Sequence, residues 1–192
     1  MAKRNPAIRE IDCKVVYYGP AASGKTTNLK YVYERIDPTT RGTLISEPQE
    51  GAPTQFFDFL AVELGTVDDY LVRFHLFTVP GQMRSHEARQ LVLRGVDGLV
   101  FVADSHRDRL SANLESLEDL HRNLRAHQLR LEQIPCVIQY NKRDLAEALP
   151  VPELDASLNP SRLQSLEAVA IEGRGVLESL TAVSKQVVSS LD

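Results

Sequence analysis

Gly19-Pro20-Ala21-Ala22-Ser23-Gly24-Lys25-Thr26-Thr27 is the stretch from which the fold can be read. It follows the apolar run Val15-Val16-Tyr17-Tyr18 and precedes Leu29, Val32, Tyr33 and Ile36, which recur as one helical face. A strand, a glycine-bounded loop and a helix form the context that a G-x-x-x-x-G-K-[ST] phosphate loop requires. Gly19 and Gly24 let the backbone curl around an anion, so the N–H groups between them, those of Ala22 and Ser23 included, point inward as a nest. The helix that starts at Lys25 and carries Thr26 and Thr27 in its first turn aims its positive dipole end at the same anion. Lys25 can reach β- and γ-phosphates, and the Thr26 hydroxyl can ligate Mg²⁺. The bland alternative is a glycine turn that matches by chance, and the flanking strand and helix argue against it.

The rest of the chain is that of an ordinary globular domain. Its 192 residues are 43% apolar and 25% charged, which sets the expectation of one domain over residues 1–192. A net charge of −4 with interspersed signs argues against a grip on nucleic acid. No run approaches a membrane span, and the start lacks an apolar signal core. Residues 187–192 carry no prenylation cysteine, and Ala2 stands where myristoylation needs glycine. The expectation is a cytoplasmic protein without a lipid anchor. Cys13 and Cys136 sit in strand-like runs and read as buried small hydrophobes, while the five histidines form no ligand spacing.

Periodicity then divides the chain. A polar arm leads to a strand over 12–18, and the helix after the phosphate loop ends near Asp37-Pro38. Residues 37–54 form a long irregular segment of the kind that carries function. Two strand-like runs, 56–64 and 70–79, flank a short connection and predict an antiparallel hairpin at a sheet edge. A short helical stretch follows at 87–93. Residues 98–104 read as a strand covered on both faces. Leu110, Leu114, Leu117, Leu120 and Leu124 predict a core-facing helix over 108–126, and Pro135–Tyr140 the next buried strand. Prolines leave residues 146–165 undecided. A short strand at 167–171 and a helix from Val176 to Leu191 complete the chain. This alternation predicts an α/β, three-layer P-loop fold, with a mixed, mainly parallel sheet and helices on both faces. Ligands of such sheets lie at the carboxyl ends of the strands, where the phosphate loop, Pro80-Gly81-Gln82 and residues 141–144 all fall.

Asn141-Lys142-Arg143-Asp144 is the second anchor. The Asp144 carboxylate can accept from the N1–H and exocyclic amine of guanine, a donor pair that adenine lacks. Asn141 can tie this loop to the phosphate loop, and the Lys142 stem can cover one face of the base. N-K-x-D alone is weak, because Asn and Asp are common turn residues. Its position after a buried strand, downstream of a phosphate loop, gives it weight. Asp104, at the end of another buried strand, reads as a turn or capping residue.

With these residues in view, the chain resembles the Ras-superfamily small GTPases, and more closely the MglA-type bacterial GTPases of gliding motility and cell polarity. The resemblance runs nearly end to end, through residues 14–20, 24–29, 56–60, 73–76, 78–82 and 137–145. It implies GTP and GDP with Mg²⁺ as ligands and GTP hydrolysis as the reaction. Thr54 would sense the γ-phosphate and help hold Mg²⁺ beside Thr26, Gly81 would carry the second switch, and Gln82 would orient the attacking water beside Lys25. Ala168-Val169-Ala170 would be the last base loop, with the Ala170 N–H near the guanine O6. The implied partners are a roadblock-fold, MglB-like activator dimer and effectors of polarity or motility.

Three departures qualify the resemblance. Thr78 stands where most small GTPases carry the aspartate that holds a Mg²⁺-bound water; MglA-type proteins share this threonine, and Asp58 is a candidate to fill the shell. Pro53 stands where the MglA pattern has an arginine finger. Ala21 replaces a usual glycine and crowds the γ-phosphate site. Hydrolysis is therefore expected to be slow. Two other readings stay open: a GTP-bound interaction protein that scarcely hydrolyses, and a P-loop kinase or ATPase, against which Asp144 argues.

Overall fold

The computed structural model describes residues 2–46, 57–79 and 86–191. Thr54, Pro53, Gly81, Gln82 and the rest of both predicted switch tips lie outside the described residues. In chain order the elements are β1 (Lys3–Asn5), β2 (Glu10–Tyr18), α1 (Lys25–Arg35), β3 (Phe59–Val67), β4 (Tyr70–Thr78), α2 (His86–Leu93) and β5 (Gly98–Asp104). They continue as α3 (Leu110–Ala126), β6 (Cys136–Asn141), α4 (Val151–Leu158), β7 (Gln164–Glu167) and α5 (Val176–Ser189).

The sheet runs β3-β4-β2-β5-β6-β7, with β3 antiparallel to β4 and all other neighbours on that path parallel. From β2 the chain first builds to one side through β3 and β4, then crosses to the other side with β5. The carboxyl end of β2 is therefore the point where strand order reverses, and the phosphate loop leaves the sheet there. The predicted edge hairpin is present. Residues 41–46 extend it, through bridges from Arg41 to Val62 and from Ile45 to Phe59.

Sequence explains most elements. β5 and the apolar positions of β6 are buried throughout, as continuous apolar strands require when both faces are covered. One apolar layer packs β5 and β6 under α2, α3 and α4 through Leu93, Leu120, Leu124 and Leu154. The other packs the sheet under α1 and α5 through Leu29, Val32, Leu180 and Val183. Cys13 and Cys136 are buried as expected, and desolvation pushes each thiol up to about 12.

Several boundaries differ from the sequence reading. The N-terminal arm is not all coil: β1 pairs antiparallel with the first half of β2. The last strand occupies 164–167 rather than 167–171, because pairing with β6 ends at Glu167 and Ala168 already turns away. The undecided stretch contains α4, whose Pro150 is the N-cap and Pro152 lies in the first turn, where a missing N–H costs nothing. Leu114 departs from the stripe of its helix, being 37% exposed.

Two buried polar clusters stitch the layers. Gln139 on β6 exchanges hydrogen bonds with Asn28 of α1 and donates to Ser179 Oγ of α5. On the other face Asp119 of α3 accepts from Tyr18 Oη, from Asn123 and from Arg89 of α2. Neither cluster announces itself in sequence, since a single Gln or Asp inside an apolar pattern carries no periodic signal.

Candidate functional site

The phosphate loop follows β2 directly and closes on itself. Gly19 and Gly24 both have positive φ, +145° and +103°. A Cβ on Gly19 would meet the Val102 carbonyl at 2.2 Å, and one on Gly24 would meet Asn141 Nδ2 at 2.2 Å. Both glycines are therefore required by close approach as well as by backbone angle. Gly24 is the N-cap of α1 and offers no side-chain cap, and the first turn carries no acidic residue. The helix N-terminus is thus left open to an external anion.

Lys25 is 5% exposed and donates to the carbonyls of Gly19 at 2.9 Å and Pro20 at 2.6 Å. Burial, and then the nearby Arg89 guanidinium, lower its pKa from 10.5 to about 8, against the opposing pull of Asp58. A desolvated cation whose hydrogen bonds among the described residues go to neutral carbonyls is a site built for an anion.

Asn141 joins the loops. Its Nδ2 donates to the Ser23 carbonyl at 2.7 Å, and its Oδ1 accepts from the Ala170 N–H at 2.9 Å. The sequence reading foresaw the first tie and not the second. The Ala170 N–H, expected near a guanine oxygen, is engaged by Asn141, so a base oxygen would have to share it. Val169 forms a bridge with Arg174 that closes the same loop. Asp144 is exposed at the mouth, and its carboxylate accepts no hydrogen bond from the described residues. Lys142, in left-handed conformation at φ +66°, places its Nζ 2.6 Å from Asp104 Oδ2 instead of leaving it in solvent.

Asp58 holds the opposite corner. Its Oδ2 accepts from the hydroxyls of Thr26 and Thr78, both at 2.6 Å, and its Oδ1 from Ser46 Oγ at 2.8 Å. Thr78 Oγ1 also accepts from the Asp58 N–H at 2.9 Å, so strand and side chain lock each other. A carboxylate at the first helical turn, ringed by hydroxyl oxygens, suits a hard cation such as Mg²⁺, which is held by one or two carboxylates plus phosphate and water. Among the described residues no cluster of three His, Cys, Asp or Glu offers a different metal centre.

Sequence reasoning underrated Asp104. It is 2% exposed, its Oδ1 accepts from the His106 N–H as a turn residue would, and its Oδ2 also faces Lys142 Nζ and, at 3.7 Å, Arg109 Nε. The available signal was register: Asp104 pairs with Asn141, so both lie on the ligand edge.

Comparisons with known proteins agree with this geometry. The ADP-ribosylation factor family matches residues 4–187. The chain belongs to that family of small GTPases: it is a guanine-nucleotide switch that binds and hydrolyses GTP, as nucleotide and Mg²⁺ binding are general to the family. Within it the chain is of the MglA type. It is 50% identical over 187 residues to the mutual gliding-motility protein MglA of Myxococcus xanthus, covering 97% of this chain and 96% of that protein. It is 26% identical over 181 residues to ADP-ribosylation factor-like protein 4A of Homo sapiens, covering 91% and 82%. Among the described residues no helix is long and apolar enough to cross a membrane.

The lowered pKa of Lys25 makes a pH prediction. Without phosphate the ammonium loses its proton near 8; a bound phosphate draws its pKa back up. Between those values binding takes up a proton, so nucleotide affinity falls as pH rises above about 8, by up to about tenfold per pH unit. Titration of GDP across ~pH 7 to 9.5 checks this, and Lys25→Arg, which stays charged, should flatten the profile. A wild-type profile already flat across that window would refute it.

Proposed function

We propose that this chain is a cytoplasmic GTP switch of the polarity or motility class. Its single guanine-nucleotide domain spans residues 1–192. An MglB-like dimer of the roadblock fold would stimulate its hydrolysis, and polarity or motility effectors would read its GTP state. The observation that carries this reading is Asp58 bound between Thr26 and Thr78. It puts a carboxylate beside Thr78, the threonine that stands where the resemblance to small GTPases implies a metal-shell aspartate and the resemblance to MglA-type proteins implies a threonine.

In this reading the N–H groups of Gly19 to Gly24 and the first turn of α1, with Ala22, Ser23 and Thr27, cradle the phosphates. Lys25 neutralises β- and γ-phosphate charge. Thr26 and Thr54 hold Mg²⁺, with Asp58 orienting that shell. Bound Mg²⁺ supplies charge compensation on the β- and γ-phosphates. Gly81 lets the second switch approach the γ-phosphate, and Gln82 orients water. Asn141, Lys142, Asp144, Val169 and Ala170 form the base site, and Asp144 selects guanine. The nucleotide retained on purification, and the time course of its hydrolysis with and without a roadblock-fold dimer, test the whole reading. Retained ATP would refute it, and GTP that stays unhydrolysed would favour the pure interaction protein.

Asp144→Asn is expected to lose guanine preference by on the order of 10²-fold or more, because an amide cannot offer two equivalent acceptors. Equal GTP affinity in that variant would refute the base site. Asp58→Asn should raise the Mg²⁺ concentration needed for tight GTP retention by about 10- to 100-fold, as loss of an orienting partner does. An unchanged Mg²⁺ dependence would remove Asp58 from the shell.

Hydrolysis rate follows from the two departures. An arginine finger contributes roughly 10³–10⁵ in turnover. Pro53 cannot supply one, and the Ala21 methyl narrows the approach for another. Single-turnover hydrolysis should be slow and should rise more in Pro53→Arg with Ala21→Gly together than from the two changes added separately. A wild-type rate equal to that of finger-bearing relatives would contradict this.

A further inference from the structure

Ala22 is an oddity of the phosphate loop. It holds φ +60°, a left-handed conformation that disfavours any residue with a Cβ, although only glycine adopts it freely. A simple motion would relieve it. Rotating the planar unit between Ala21 and Ala22 by half a turn would leave both α-carbons in place and carry the Ala22 φ to the comfortable negative side. The same rotation would exchange the directions of the Ala21 carbonyl and the Ala22 N–H, because the two point opposite ways across a trans peptide. An outward N–H and an inward carbonyl would then face the phosphates, the wrong polarity for an anion.

Arg109 bears directly on that peptide. From the turn before α3, its Nη2 donates to the Ala21 carbonyl at 2.9 Å. The guanidinium is itself anchored, with Nε 3.7 Å from the buried Asp104 carboxylate, which also pairs with Lys142. Asp104 is immobilised in turn: its N–H and its carbonyl are both bonded by the Asn113 side-chain amide, at 2.9 and 2.8 Å. A fixed donor is thus aimed at the one carbonyl whose rotation would relax Ala22.

We propose that Arg109 is a positioning residue for the nucleotide: by holding the Ala21 carbonyl on the outer wall of the phosphate loop, it keeps strained Ala22 from turning its N–H out of the anion nest. Asp104 fixes the guanidinium, and Lys142 ties the same carboxylate to the base loop. The inference rests on the guanine-nucleotide reading of the site and adds a residue that neither the phosphate motif nor N-K-x-D contains. Gly at position 22 would remove the motive for the rotation, and Arg109 would then matter less.

The test is a double-mutant cycle between Arg109→Gln and Ala22→Gly, read as the dissociation constants of GDP and GTP by fluorescent-nucleotide titration. Thermal unfolding of the nucleotide-free proteins is measured in parallel. Arg109→Gln should weaken both nucleotides by about tenfold, the scale of a charge-assisted hydrogen bond. In the Ala22→Gly background the same change should cost about threefold or less, since glycine has no strain to relieve. Equal losses in the two backgrounds, or a lowered unfolding temperature with unchanged affinity, would overturn the proposal. Should Arg109→Gln fail to fold, Arg109→Lys is compared in both backgrounds, with the same inequality expected and the same equality fatal. Wild-type protein that bound neither GDP nor GTP would refute the reading of the site and this inference with it. Normal wild-type binding with an unaffected Arg109→Gln would refute this inference alone.

Discussion

The Asn141 side chain is the contact on which the site depends. One amide donates to the Ser23 carbonyl of the glycine-bounded loop and accepts from the Ala170 N–H in the loop after β7. It is 2% exposed, at the end of a strand buried on both faces. An amide is suited to the task because it offers a donor and an acceptor on a single rigid plane. An aspartate there could not donate to Ser23. The spacing between the proposed phosphate and base sites is thereby set by a strand, not by flexible loops.

A second constraint concerns charge. The site concentrates cationic groups, Lys25, Arg89, Arg109 and Lys142, around a space framed by few anions. Asp58, Asp104 and Asp119 are buried carboxylates that balance them: Asp58 accepts from Thr26, Thr78 and Ser46, Asp104 lies 2.6 Å from Lys142 Nζ and 3.7 Å from Arg109 Nε, and Asp119 pairs with Arg89. Burial keeps these interactions strong, and Lys25 shows the other side of that condition: taken out of water, with carbonyls for its hydrogen-bond partners among the described residues, it holds its proton less firmly. An entering polyphosphate meets a cation that is already desolvated and aimed.

The polar seam of Tyr18, Asp119, Asn123 and Arg89 connects this site to α2, the helix that follows the second switch. Tyr18 lies directly before Gly19, and Arg89 is close enough to depress the Lys25 pKa. A shift of α2 would therefore be felt at the phosphate loop through packed polar contacts as well as through the chain.

Local signals in the sequence determined the order of elements, both anchoring motifs and the side of the sheet on which they meet. Phosphate loops and N-K-x-D are contiguous, so their chemistry is written in neighbouring residues, and apolar runs mark buried strands whatever surrounds them. The end of the last strand and the helix between Pro150 and Asn159 were set by packing against β6 and α3, which no local pattern encodes. The roles of Asp58, Asp104 and Arg109 were decided in the same way. Each acts on residues distant in sequence: Asp58 on Thr26, Asp104 on Lys142 and Arg109 on Ala21, brought together by sheet register and by the turn before α3. The sequence offers Asp58 as a shell candidate only through the family resemblance, reads Asp104 as a turn or cap, and gives Arg109 no signal. Only the tertiary structure buries the two aspartates beside their partners and brings Arg109 to the phosphate loop, and burial is what turns a carboxylate into a determinant of the site.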